Sequence, residues 1–88
     1  MTETQSRMCE RLAVLRPTVL EITDESHKHA GHAGARDGGG HYVLNIVSAQ
    51  FAGKHTVTRH RMIYSALGEM MKREIHALTI QARTPDEI

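Results

Sequence analysis

The chain has one cysteine, no tryptophan, one phenylalanine, two tyrosines and two prolines in 88 residues. A single thiol rules out an intrachain disulfide framework and points to a reducing compartment. So few rings leave little for stacking against nucleic-acid bases. No apolar run approaches the ~20 residues that a membrane helix needs, and the polar start M-T-E-T-Q-S-R does not resemble a secretory signal. Acidic residues are missing from Gly38 through Gly68, a window that holds Lys54, Arg59 and Arg61. Catalytic signatures are missing too: there is no G-x-S-x-G, no phosphate-cradling glycine pattern and no paired-carboxylate constellation. These absences predict a soluble, cytoplasmic, non-enzymatic domain covering 1–88. A chain this short buries only about 60–65% of its unfolded surface, so its core is thin.

Histidine, by contrast, is abundant. Seven are present against a formal net charge of +1, and three of them, His27, His29 and His32, fall within D-E-S-H-K-H-A-G-H-A-G at Asp24 to Gly34. A glycine-rich run follows and ends at His41. The whole stretch, roughly Asp24 to Gly40, exceeds ordinary connection lengths, as functional or disordered loops do.

Apolar spacing orders the rest. Met8, Leu12 and Leu15 make one helical stripe over residues 3 to 15. Pro17 ends that helix and biases Arg16 towards an extended conformation. Val19 to Thr23 alternates as a half-buried strand, and His41 to Ser48 is rich in β-branched and aromatic residues. A long helix is predicted from about Val57 to Arg73, with His60, Ile63, Leu67 and Met70 on its inner stripe and Thr56 or Thr58 as cap. Ile75 to Arg83 alternates again, with Leu78, Ile80 and Ala82 on one face. The order is α-β-β-α-β, with two helices on one face of a three-stranded sheet.

Strict alternation puts His76 on the face of Leu78 and Ile80, at the rim of the core. Spacing alone suits both a rim histidine satisfied by a backbone carbonyl and a metal ligand held by packing. H-x-H-x2-H at His27, His29 and His32 is a weak metal signal without defined geometry. His60 reads as structural, and Cys9 as a small packed residue.

Several stretches taken together resemble the BolA family, from about Met8 to Pro85. They are D-E-S-H-K-H-A-G-H-A-G, H-Y-V-L-N-I-V-S at His41 to Ser48, F-A-G-K at Phe51 to Lys54 and R-H-R-M-I-Y at Arg59 to Tyr64. H-A-L at His76 to Leu78 and T-P at Thr84-Pro85 complete the set. The resemblance implies a class II KH-like α+β fold and a monothiol glutaredoxin partner sharing a [2Fe–2S] cluster with glutathione. It implies His76 as one cluster ligand and, by position in the loop, His29 as the other, with His27 and His32 as neighbouring alternatives. It implies no cofactor in the isolated chain, which is expected to be a monomer. DNA binding, a role also assigned to some family members, is the competing expectation. Its candidate residues are Lys54, Arg59 and Arg61 around the start of the long helix.

Overall fold

A computed structural model describes residues 2–26 and 40–88. Helix α1 spans Glu3–Leu12. Its start is fixed by a capping box: Thr2 Oγ1 accepts from the Gln5 amide, and Gln5 Oε1 accepts from the Thr2 amide. Two of the helix's orphan donors are satisfied in this way. Met8 and Leu12 are fully buried, and a 3₁₀ turn over Ala13–Leu15 adds Leu15.

Arg16 then adopts φ 50°, ψ 55°, and its amide donates to Ala13 O at 3.0 Å. This corrects the extended conformation expected before Pro17. Proline excludes right-handed helix from the preceding residue, and the left-handed well meets that demand while closing the turn. The price for a residue with a Cβ is about 1–2 kcal/mol.

Strand β1 (Val19–Asp24) pairs antiparallel with β2 (Gly40–Val47), and β2 pairs parallel with β3 (Ile75–Arg83). The sheet order is β1-β2-β3. A parallel pair needs a crossover connection, and α2, Thr56–Leu67, lies within it. Tyr42, Leu44 and Ile46 of β2 join Met8 and Leu12 of α1, Ile63 and Leu67 of α2, and Phe51 and Ile75 in one core. Val43 and Asn45 point to the other face, which no helix among the described residues covers, and are only partly buried. This is the α+β arrangement expected from the order of elements, with both helices on one side of the sheet.

Helix α2 is shorter than its apolar stripe suggests. Gly68, at φ 57° and ψ −128°, takes a conformation disfavoured by any Cβ and ends the helix, and a 3₁₀ segment carries the chain to Lys72. Met70 keeps its place in the core from that segment. Neither expected threonine caps the start: His55 occupies the cap position without a side-chain bond. Buried Ser48 closes the far end of β2, donating from Oγ to Leu15 O and accepting from the Gln50 amide.

Candidate functional site

The β2–β3 ladder holds one irregularity. Gly40 pairs with Ile75, yet His41 pairs with Ala77, so His76 is an extra residue in β3. The bulge breaks the alternation that placed His76 with Leu78 and Ile80. Ile75 is buried before it, Leu78 and Ile80 pack against the core after it, and His76 is exposed between them. The expected rim-of-core position is thereby corrected. Bulges commonly re-aim a side chain beside a functional site, and this one brings the His76 ring to that of His41. The centroids are 5.1 Å apart and the planes tilt by 45°.

His41 belongs to the uncovered face, being in register with Val43 and Asn45, and its backbone is held by the two residues that follow β1. Its amide donates to Ser26 Oγ at 3.0 Å, and its carbonyl accepts from the Glu25 amide at 2.8 Å. Ser26 is oriented by an Asx turn in which its amide donates to Asp24 Oδ1. Just before β3, Glu74 O accepts the Gly40 amide at 2.9 Å. Glu74 also forms an ion pair with Arg7, tying α1 to the start of β3.

Gly40 is required by close approach. A Cβ there would lie 2.6 Å from the Tyr42 ring and 2.8 Å from Ser26 Oγ. Burial raises the Tyr42 hydroxyl above the usual phenol range, with Asp24 and Glu74 adding repulsion against a hydrogen bond with Thr4. This end of the sheet is therefore a packed and hydrogen-bonded platform beneath two imidazoles.

His27, His29 and His32 lie outside the described residues. His60 is half-buried and stacks edge-on against Tyr64, with ring centroids 6.4 Å apart, in keeping with its structural reading. Cys9 sits on α1, in the helical layer rather than with the histidine pair. Among the described residues, no three His, Cys, Asp or Glu side chains converge as a metal site.

The basic candidates divide. Arg59 is committed inside the fold: its guanidinium donates to both Glu87 oxygens and to Lys54 O and Ala82 O, and lies over the Phe51 ring. Its side chain is only 12% exposed. Lys54 and Arg61 are exposed. Arg61 borders a shallow apolar groove formed by Val14 and Leu15 against Met62 and Ala66, in the helical layer and away from the histidines.

An α-β-β-α-β chain with a mixed sheet and a bulge-borne histidine beside β2 defines a class that comparison with known proteins identifies. Residues 12–87 match the family described as BolA-like protein. The chain is 48% identical over 79 residues to SufE-like protein 1 of Arabidopsis thaliana, covering 84% of this chain and 21% of that one. It is 38% identical over 84 residues to the DNA-binding transcriptional regulator BolA of Escherichia coli, covering 94% and 77%. The solved BolA domain of SufE1 from Arabidopsis thaliana superposes with a TM-score of 0.87 at 43% identity, covering 100% of this chain and 99% of that one. The chain belongs to the BolA family. It spans about a fifth of the SufE-like protein and about half, 54%, of chloroplastic BOLA1 from the same plant. Among the described residues no helix is long and apolar enough to cross a membrane.

Proposed function

We propose that this chain is a non-catalytic iron–sulfur adaptor. It binds a monothiol glutaredoxin and co-ligates a [2Fe–2S] cluster, as cargo, through His76 and His29. The observation that carries the reading is the β3 bulge, which turns His76 out of the core onto a rigid, solvent-facing platform. Support for His29 comes from Ser26, three residues before it, which accepts the amide of His41 beside the His76 ring. Three residues beyond Ser26 reach at most about 11 Å.

The donor chemistry fits. One cysteine in the helical layer cannot provide the four thiolates of an ordinary cluster, whereas two imidazoles on one iron leave the thiolates to the partner and glutathione. Histidine ligation raises a cluster's potential relative to all-thiolate ligation and makes binding sensitive to pH. Those properties suit transfer or sensing better than storage.

Mixing the protein with cluster-loaded glutaredoxin should change the visible absorption as ligands exchange. His76→Ala should abolish that change, and His60→Ala should leave it intact. A heterodimer that keeps its spectrum with His76→Ala would sink the assignment.

DNA binding is the second reading, favoured by the name of the Escherichia coli relative and by the exposure of Lys54 and Arg61 at the start of α2. With Arg59 committed to Glu87, two of its three proposed cations remain to contact phosphates.

A further inference from the structure

We infer that the groove between the 3₁₀ turn after α1 and helix α2 docks an acidic amphipathic helix of a second protein. Its floor is apolar, with Val14 and Leu15 facing Met62 and Ala66. Val14 is 66% exposed, and Val57 and Tyr64, 62% and 41% exposed, continue the apolar surface along α2. They stand four residues before and three after Arg61, the spacing of one helical face. Contiguous exposed apolar surface of this kind marks an interaction site.

The charge around the groove selects its occupant. Residues 11–20 and 56–67, which carry both walls, contain no Asp or Glu. Besides Arg59, which Glu87 neutralises, they carry Arg11, Arg16 and Arg61, all exposed. None of these three forms an ion pair among the described residues. Arg61 lines the groove itself and Arg16 follows Leu15. Arg11 reaches the far end of α2, where its Nη1 would lie 3.3 Å from a Cβ on Gly68. An apolar floor with a cationic rim is the complement of a helix with apolar anchors and acidic flanks. The lining runs along α2 from Thr58 to Ala66, about 12 Å. Anchors at i, i+4 and i+7 of a docking helix span about 10.5 Å, so two turns fit. Duplex DNA matches the rim and gains nothing from the floor. A small ligand needs enclosure that this shallow trough lacks.

The test titrates the full chain into a fluorescein-labelled helical peptide of about 15 residues, with Leu at i, i+4 and i+7 and Glu on its other faces. Anisotropy should report saturable binding, and the amide resonances that move should include those of Val14, Met62 and Ala66. Val14→Glu should weaken binding at least about tenfold, by setting a carboxylate against the Leu anchors. Arg61→Glu should weaken it at least about fivefold and strengthen binding of a version with Lys in place of Glu, because the rim charge is reversed. Both positions are exposed, so both variants should keep the parent's far-UV circular dichroism. His76→Ala should bind within about twofold of the parent.

No binding of the Glu peptide, equal affinity for the Lys peptide, or indifference to Val14→Glu would each overturn the inference. Tighter binding of duplex DNA or of phosphatidylglycerol vesicles, lost on Arg61→Glu, would overturn it in favour of phosphates. A dimer of the free chain that Val14→Glu dissociates would overturn it in favour of a second copy. The groove uses none of the residues assigned to the shared cluster, so either proposal can fail alone.

Discussion

The Arg59 guanidinium meets the Glu87 carboxylate edge to edge, Nη1 to Oε1 at 2.6 Å and Nη2 to Oε2 at 3.0 Å, binding the C-terminal turn to the start of α2. Glu87 also accepts the Thr84 amide at 2.8 Å. These hydrogen bonds, that from Arg59 first, lower the Glu87 carboxyl from 4.5 to about 2. A carboxylate depressed in the folded state contributes its stability in full above the unfolded value and loses it as pH falls through the folded one. Thermal melts of the parent and Glu87→Gln should therefore differ most above about pH 4.5 and converge towards pH 2. A gap independent of pH would show that the carboxylate's charge contributes nothing.

Gly40→Ala tests the platform. The added methyl meets the Tyr42 ring and Ser26 Oγ at distances that real side chains do not tolerate. Overpacking of this kind costs about 1–3 kcal/mol, readable as a lower urea midpoint at unchanged slope. The His41 imidazole resonance should shift as well, because the same contacts hold its backbone.

Phe51→Ala should be more damaging than any exposed apolar change. Phe51 is fully buried and carries Arg59 over its ring, and truncating a core phenylalanine costs about 3–5 kcal/mol. Val14 is 66% exposed, and Val14→Ala should stay within about 0.5 kcal/mol of the parent. Chemical denaturation of the two variants side by side checks the contrast.

Much of this was legible from residue spacing, and the failures have physical causes. Alternation found all three strands because each buries one face. The end of α2 was overrun because Ile63, Leu67 and Met70 continue one apolar stripe across Gly68, where backbone conformation decides. The face of His76 was misjudged because a bulge is set by the neighbouring strand and leaves no mark in β3's own pattern. The role of Arg59 was missed because its acidic partner lies 28 residues away. A local sign of that partner existed: T-P-D-E is a capping-box sequence, and Thr84 and Glu87 form one. The pairing of His76 with His41 needed the parallel register, while His29 lies outside the described residues.

Salt dependence separates the two uses of arginine. With Lys54 and Arg61 as the exposed cations at the start of α2, any duplex-DNA affinity should fall with log salt at a slope no steeper than about −2, near −0.9 per phosphate neutralised. Arg61→Ala should reduce that slope by about one contact. Arg59→Ala should leave the slope alone and lower the melting temperature instead. A slope that responds to Arg59 and ignores Arg61 would reverse the assignment.

The additional residue in β3 gives that strand two incompatible phases. Positions 75 and 78 differ by an odd number yet both turn inward, so tolerance to polar substitution along the strand should slip by one place at His76 and Ala77. Deleting one residue there would restore a single phase at the cost of the imidazole's exposure, converting a histidine-bearing edge into ordinary sheet. Regular pairing and an outward-facing His76 thus place opposite demands on the same peptide unit.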